Sequence, residues 1–124
     1  MKKIYALCIA IITTYQLSAQ CDGRYQSDIF STIDVSTVQY GSNLNLNSVV
    51  INLTMDIYQP QGDTSLSRPL IIFAHGGSFS AGTKNDADIV YMCNSFAKKG
   101  YVCASINYRL APSAFSLIAE ETTV

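Results

Sequence analysis

Residues 70–79, Leu-Ile-Ile-Phe-Ala-His-Gly-Gly-Ser-Phe, decide the fold that we predict for this chain. The unbroken apolar run Leu70–Ala74 is typical of a strand that is buried on both faces of a sheet. The tetrapeptide His75–Ser78 follows its carboxyl end, which is where open α/β sheets bind their ligands. We call residues 75–85, which are rich in glycine and serine, the glycine loop. The stretch therefore predicts an α/β fold with a candidate site in this loop.

A helix and a second strand are predicted after the glycine loop. Asn85 or Asp86 is the expected N-cap and Gly100 the expected C′ residue. Apolar side chains at helical spacing lie between them, namely Ile89, Val90, Cys93, Phe96 and Ala97. Residues 101–108 then predict a second buried strand. Strand, helix and strand form a βαβ unit, so the two strands are expected to be parallel.

Two further strands are predicted before Leu70. β-branched residues favour a strand over residues 31–40, and alternating apolar and polar residues predict a half-buried strand over residues 49–58. Its apolar face comprises Val49, Ile51, Leu53, Met55 and Ile57. Residues 41–48 have turn composition. We therefore predict an α/β sheet in which an antiparallel hairpin precedes the parallel βαβ unit, and which is incomplete because no closing strand is visible after residue 112.

The first 20 residues predict a secretory signal peptide. Lys2 and Lys3 precede the apolar run Ile4–Ile12, and residues 18–20 supply small side chains near a cleavage point. A membrane-spanning helix needs about 20 apolar residues, more than this run offers. We expect a secreted or periplasmic domain over residues 21–124, without a stable membrane anchor. Lipidation at Cys21 is the less favoured alternative, because Gln20 is a poor match for the small residue expected before it.

Composition excludes several classes of protein. The 124 residues include 8 basic and 9 acidic side chains, a net charge of -1, whereas nucleic-acid binders normally carry a basic surface. A hydrophobic fraction of 48% excludes intrinsic disorder. Cys21, Cys93 and Cys103 remain once the predicted signal peptide is removed. Cys93 and Cys103 are expected to be core thiols or a structural disulfide.

Three stretches of the chain resemble the carboxylesterase/lipase branch of the α/β-hydrolase superfamily. They are Met-Asp-Ile-Tyr-Gln-Pro at 55–60, Arg-Pro-Leu-Ile-Ile-Phe-Ala-His-Gly-Gly-Ser-Phe at 68–79, and Gly-Tyr-Val-Cys-Ala-Ser-Ile-Asn-Tyr-Arg-Leu-Ala-Pro at 100–112. The resemblance implies that residues 75–78 form the HGGG-type oxyanion loop. Gly77 and Ser78 would be its main N–H donors, Gly76 would set the turn, and His75 would fix the loop by hydrogen bonding. Ser78 replaces the third glycine of the motif but keeps the backbone donor.

The catalytic residues of that family cannot be assembled from these residues. The family places a serine in Gly-x-Ser-x-Gly, followed by an acid and a histidine. The chain contains no such pentapeptide, and its one histidine is His75. Asp56, Asp86 and Asp88 precede any nucleophile and are interpreted as strand-face, loop or cap residues. We therefore expect the N-terminal portion of an exported serine carboxylesterase-like hydrolase for small ester substrates, without a cofactor and inactive by itself.

Other site chemistries fit the residues less well. A phosphate-binding loop requires Gly-Lys followed by Ser or Thr, whereas the order at 82–84 is Gly-Thr-Lys. A cysteine nucleophile needs an exposed thiolate, but Cys93 and Cys103 fall on predicted buried faces. No close-spaced pair of ligands predicts a metal site. Two alternatives stay open, a complete non-catalytic exported module that binds through the glycine loop and part of a serine peptidase of the same superfamily.

Overall fold

A computed structural model describes residues 23–45 and 47–111 as one mixed sheet with one helix. The predicted signal peptide, Cys21 and the chain after residue 111 lie outside the described residues. The elements are β1 (Ile33–Leu44), β2 (Val50–Pro60), β3 (Leu70–Ala74), α1 (Ala87–Lys98) and β4 (Val102–Ile106), and the strand order is β1-β2-β4-β3. β2 is antiparallel to both β1 and β4, and β3 is parallel to β4. The predicted hairpin and parallel βαβ unit are therefore confirmed.

The hairpin turn lies further along the chain than the sequence predicted. β1 continues to Leu44, and the turn is closed by a hydrogen bond of 2.8 Å from the Asn45 N–H to the Val49 carbonyl. The Asn45 side chain also accepts the Val49 N–H at 2.9 Å. Gly41 does not turn the chain, because the register shifts between Gln39 and Gly41 and a bulge accommodates the extra residue. The predicted turn over residues 41–48 is thus wrong in its first half.

The face of β2 that packs under α1 is the even-numbered one. Asp56 and Tyr58 are 5% and 4% exposed, whereas the residues of the predicted apolar face from Ile51 to Ile57 are half-buried. The register places Asp56 beside Ser105 and Tyr58 beside Cys103 on β4. Both of these β4 residues are fully buried. The predicted apolar face is half-buried, and the alternation could not show that the helix covers the opposite face.

β3 is buried on one face rather than on both. Ile71 and Phe73 pack against the core beneath α1, whereas Leu70 and Ile72 are 58% and 61% exposed. Side chains alternate across a strand, so the second pair faces away from α1. No element within residues 23–45 and 47–111 covers that side, and β3 lies at the edge of the sheet. The expectation of a strand buried on both faces is therefore not met in the described part of the chain.

The helix follows the predicted pattern closely. Asp86 is the N-cap and Lys99 the C-cap, and Gly100 has a φ of +100° at the predicted C′ position. The Asp86 carboxylate accepts the Thr83 N–H at 3.2 Å rather than an N–H of the helix. The predicted apolar face is the one that packs on the sheet, with Ile89, Cys93 and Ala97 buried. Within the described ranges, no helix is both long enough and apolar enough to cross a membrane.

The core is built from Tyr58, Ile89, Cys93, Ala97 and Cys103. Both cysteines are completely buried and carry free thiols, so of the two predicted alternatives the core thiols are observed. Burial disfavours the thiolate, which raises the pKa of Cys93 to about 11 and the pKa of Cys103 to about 12. These thiols are therefore packing groups and not nucleophiles.

We predict that Cys93 and Cys103 resist alkylation in the folded protein. At pH 8 the thiolate fraction is very small, and peptide mass spectrometry should find both residues unlabelled by iodoacetamide until urea unfolds the chain. Because the folded-state pKa values lie above the ordinary thiol value of 9.0, the unfolded chain loses its thiol protons first. The free energy of unfolding should therefore fall as the pH rises from about 9 to about 11. Rapid labelling of either residue under native conditions would contradict this burial.

Candidate functional site

The candidate site lies where the two parallel strands end. His75 directly follows β3, and Asn107 and Tyr108 directly follow β4. Because β3 and β4 are parallel, their carboxyl ends share one edge of the sheet. The structure thus brings the predicted motif together with two residues that the sequence analysis did not single out. A groove of about 400 Å³ lies beside them, with His75, Gly82 and Tyr108 among its lining residues.

His75 is held in one orientation from two sides. Its ring, with the residue only 4% exposed, stacks on Tyr108 with ring centroids 4.3 Å apart and an angle of 14° between the planes. Its Nδ1 lies 2.8 Å from the carbonyl oxygen of Gly76. A carbonyl oxygen can only accept a hydrogen bond, so Nδ1 carries the proton and donates it. This hydrogen bond is the kind of loop-fixing contact that the sequence analysis expected of His75.

Three successive carbonyl groups of the glycine loop, those of His75, Gly76 and Gly77, accept hydrogen bonds within the protein. The Tyr108 hydroxyl donates to the His75 carbonyl at 2.8 Å, and His75 Nδ1 donates to the Gly76 carbonyl. The Gly77 carbonyl accepts the N–H groups of Ser80 and Ala81, both at 3.0 Å. These three carbonyl groups are therefore satisfied within the protein.

The N–H groups of the same peptides point the other way. No peptide bond in the described chain is cis, and in a trans peptide the C=O and N–H groups point in opposite directions. Each N–H group of Gly76, Gly77 and Ser78 shares a peptide with the carbonyl of the preceding residue. The N–H groups therefore point away from the donors that bind those carbonyls. Among residues 23–45 and 47–111, none of the three N–H groups has an acceptor. They are free to donate to a ligand.

The left-handed part of the loop begins one residue later than expected. Gly77 has a φ of +111°, and Ser78 and Phe79 follow with +52° and +60°. A Cβ at Gly77 would lie 2.2 Å from the Ala81 carbonyl oxygen, whereas one at Gly76 would meet nothing within 4 Å. Gly77 therefore sets the turn that the sequence analysis placed at Gly76. Ser78 is accommodated in this left-handed backbone although it is not a glycine.

Gly82 forms the opposite wall of the loop. A Cβ at this position would lie 2.4 Å from His75 Nδ1 and 2.5 Å from the Gly76 carbonyl oxygen. The backbone at Gly82 thus packs directly against the hydrogen bond that fixes His75. Its φ of +92° adds a second requirement for glycine. The second half of the loop therefore determines where the first half can lie.

Tyr108 and Asn107 are the residues that sequence reasoning missed. Asn107 accepts the Lys84 N–H through its side chain at 2.7 Å, so it ties β4 to the glycine loop. The available signal was positional, because both residues follow a predicted strand at the ligand-binding edge of the sheet. Attention to the motif after β3 alone overlooked the equivalent position after β4.

The structure also bears on the alternative chemistries. The Lys84 ammonium group lies 2.5 Å from a carboxylate oxygen of buried Asp56, so it is not free to bind a phosphate. In the part of the chain that the structure describes, no three histidine, cysteine, aspartate or glutamate side chains gather in a way that could hold a metal ion.

Comparison with known proteins identifies relatives of this region. The family model described as BD-FAE matches residues 55–118. Glutactin of Drosophila melanogaster is 40% identical over 63 residues, which cover 51% of this chain and 6% of that protein. Among solved structures, a bacterial heroin esterase is 22% identical to this chain. The match covers 89% of this chain and 29% of the esterase, with a TM-score of 0.49. Brefeldin A esterase, a bacterial homologue of human hormone-sensitive lipase, is 20% identical to this chain. The match covers 72% of this chain and 23% of that esterase, also with a TM-score of 0.49.

The chain is much shorter than the proteins it matches. It spans less than a tenth of glutactin and less than a third of either esterase. The matched family region contains the second half of β2 from Met55, the whole of β3, α1 and β4, and with them the whole glycine loop. The match therefore covers the part of the chain in which the candidate site lies.

Proposed function

The chain belongs to the BD-FAE family, within the α/β-hydrolase superfamily, and from this membership we propose that it supplies the oxyanion loop of a serine ester hydrolase. In this proposal the N–H groups of Gly77 and Ser78, assisted by Gly76, donate to the oxyanion that forms when a serine attacks an ester carbonyl. His75 holds the loop and takes no part in proton transfer. The nucleophile, the acid and the base come from residues outside this sequence.

One observation carries the proposal. Three successive carbonyl groups in the loop are bound by Tyr108, His75, Ser80 and Ala81, and the N–H groups on their other sides lack acceptors in the described ranges. Gly76, Gly77 and Ser78 are exposed, so water can bind these N–H groups until a substrate oxygen replaces it. Donors fixed before the reaction stabilise a developing negative charge, by roughly 2.7–4 kcal/mol for each donor.

The proposal extends to substrate and location. We propose a small ester as the substrate, bound where the N–H groups of Gly77 and Ser78 can reach its carbonyl oxygen. The groove beside His75 is lined by neither of these two donor residues and is therefore not assigned to the ester. No cofactor is required for acyl transfer of this type. The leader composition of residues 1–20 supports export to the periplasm or the medium. Assays with different esters would identify the acyl and alcohol groups that the enzyme accepts.

The first test is to determine the reading frame of the gene beyond codon 124. We expect an in-frame Gly-x-Ser-x-Gly, followed by an aspartate or glutamate and a histidine. The full-length protein should then hydrolyse p-nitrophenyl acetate, and replacing the serine of that pentapeptide by alanine should remove the activity. A stop codon directly after Val124 would refute the proposal and favour the non-catalytic binding module. Amide hydrolysis without ester hydrolysis would instead favour the peptidase alternative.

A further inference from the structure

A buried ion pair lies beneath the glycine loop, between β2 and the loop. Lys84 Nζ is 2.5 Å from Asp56 Oδ2, and the two side chains are only 12% and 7% exposed. The second carboxylate oxygen of Asp56 accepts the Thr37 hydroxyl of β1 at 2.6 Å. Lys84 Nζ also donates to the Asn85 side chain at 3.3 Å. Both charges are therefore compensated within the protein.

The backbone of Lys84 is fastened as firmly as its side chain. Its N–H donates to Asn107 Oδ1 and its carbonyl accepts the hydroxyl of Ser105, both at 2.7 Å. Lys84 thus makes one contact with β2 and two with β4 or the residue after it. A residue held at three points to two neighbouring strands has a fixed position relative to the sheet.

The position of Lys84 determines where the N–H donors of the glycine loop lie. Gly82, two residues earlier, packs against His75 Nδ1 and the Gly76 carbonyl oxygen, which leaves no space for a Cβ. The Gly76 carbonyl belongs to the same planar peptide as the Gly77 N–H. A shift at Lys84 would therefore move Gly82, then that peptide, and finally the direction in which the Gly77 N–H points.

We propose that Lys84, through its ion pair with Asp56, is a positioning residue for the oxyanion donors, an inference that rests on the proposed esterase function. Stability alone is a poor reason for this pair, because a buried ion pair can often be replaced by well-packed apolar residues without loss of stability. An apolar replacement, however, would not reproduce the directed contacts to β2 and Asn85. The pair is thus better explained by the geometry that it imposes on the loop.

The experiment compares apolar replacement with charge removal in the full-length enzyme. The double variant D56L/K84M should unfold within a few degrees of the wild type, whereas K84M leaves Asp56 unpaired and should be clearly less stable. With p-nitrophenyl acetate, we expect KM of the double variant to stay within about threefold of the wild type, while kcat falls about ten- to a hundredfold. Lys99→Met is the matched control, because it removes a surface ion pair with Asp28 and should leave kcat unchanged.

Two outcomes would overturn the inference. A double variant with wild-type kcat would show that the pair only stabilises the fold, as would a kcat loss that Lys99→Met reproduces. If the double variant does not fold, the single variants K84R, which keeps a charge to pair with Asp56, and K84M, which removes it, are compared; equal kcat in these two variants would count against positioning in the same way.

A second readout separates this inference from the esterase proposal. Hydrogen exchange of the Ser80 and Ala81 amides, which donate to the Gly77 carbonyl, should be at least about tenfold faster in D56L/K84M than in the wild type, with the β1–β2 hairpin unchanged. Unchanged exchange of these two amides would overturn the positioning role even if the wild type hydrolysed no ester. Faster exchange in an enzyme without ester hydrolysis would retain the positioning of the loop and refute only the proposed reaction.

Discussion

Replacing Gly77 by alanine is expected to lower the kcat of the full-length esterase by about a hundredfold or more. The new Cβ would lie 2.2 Å from the carbonyl oxygen of Ala81 and 2.5 Å from its carbonyl carbon, both of them backbone atoms. Backbone atoms cannot move aside as a flexible side chain would, so the turn from Gly77 to Ala81 must open. Opening it breaks the contacts that hold the Gly77 carbonyl and redirects the Ser78 N–H. The measurement is steady-state hydrolysis of p-nitrophenyl acetate, with kcat and KM determined separately.

Gly62→Ala is the matched control for Gly77→Ala. Gly62 also has a positive φ, +75°, but nothing lies within 4 Å of the position where its Cβ would be. It follows the end of β2, which lies beside the start of β4, whereas the glycine loop lies at the opposite end of the strands. Both variants introduce backbone strain of roughly 1–2 kcal/mol, and only Gly77→Ala adds the collision at the site. Equal loss of kcat in the two variants would mean that strain alone, and not the position of the donors, accounts for the effect.

The chain order and type of the elements could be predicted because each carries a local signal. The apolar run Leu70–Ala74, the helical spacing of α1 and the glycine at position 100 identify a βαβ unit without knowledge of the surroundings. The end of β1 could not be predicted in this way. Gly41 is equally compatible with a turn and with a bulge, and the choice depends on the Asn45 side chain, which closes the turn further along.

Burial was less predictable than secondary structure, because it depends on what covers each face. The alternation in β2 correctly indicated a strand, but the face under α1 carries Asp56, a residue that pattern analysis assigns to solvent. Its partner Lys84 is 28 residues away in the sequence. Only the fold brings the two together, so neither residue alone predicted a buried ion pair.

The motif at residues 75–78 could be recognised from the sequence, whereas the residues that hold it could not. Glycines after a strand suggest a backbone that donates hydrogen bonds, and this suggestion needs no tertiary information. The assignment of Tyr108 and Gly82 to the same site requires the pairing of β3 with β4 and the path of the loop. The sequence therefore indicates which backbone groups can donate hydrogen bonds, and the structure is needed to identify the residues that hold them in place.

The largest effect on stability is expected for Tyr58→Ala. Tyr58 is 4% exposed and joins Cys103 of β4 to the face of α1 in the core. Burial, and to a lesser extent the nearby charge of Asp56, raises the pKa of its hydroxyl, so the ring is packed as a neutral group. Truncating a buried aromatic side chain removes its packing and leaves a cavity, which costs about 3–5 kcal/mol. Urea denaturation should show a loss of this size in the free energy of unfolding.

Two companion variants identify the origin of that loss. Tyr91→Ala makes the same substitution in α1, where the side chain is 73% exposed, and should change the free energy of unfolding by no more than about 0.5 kcal/mol. Tyr58→Phe keeps the ring and should cost less than about 1.5 kcal/mol, because only the hydroxyl is removed. If Tyr58→Phe were as damaging as Tyr58→Ala, the hydroxyl rather than the ring would hold β2 against α1. If Tyr91→Ala matched Tyr58→Ala, the exposed face of α1 would have to be covered by a part of the protein outside the described residues.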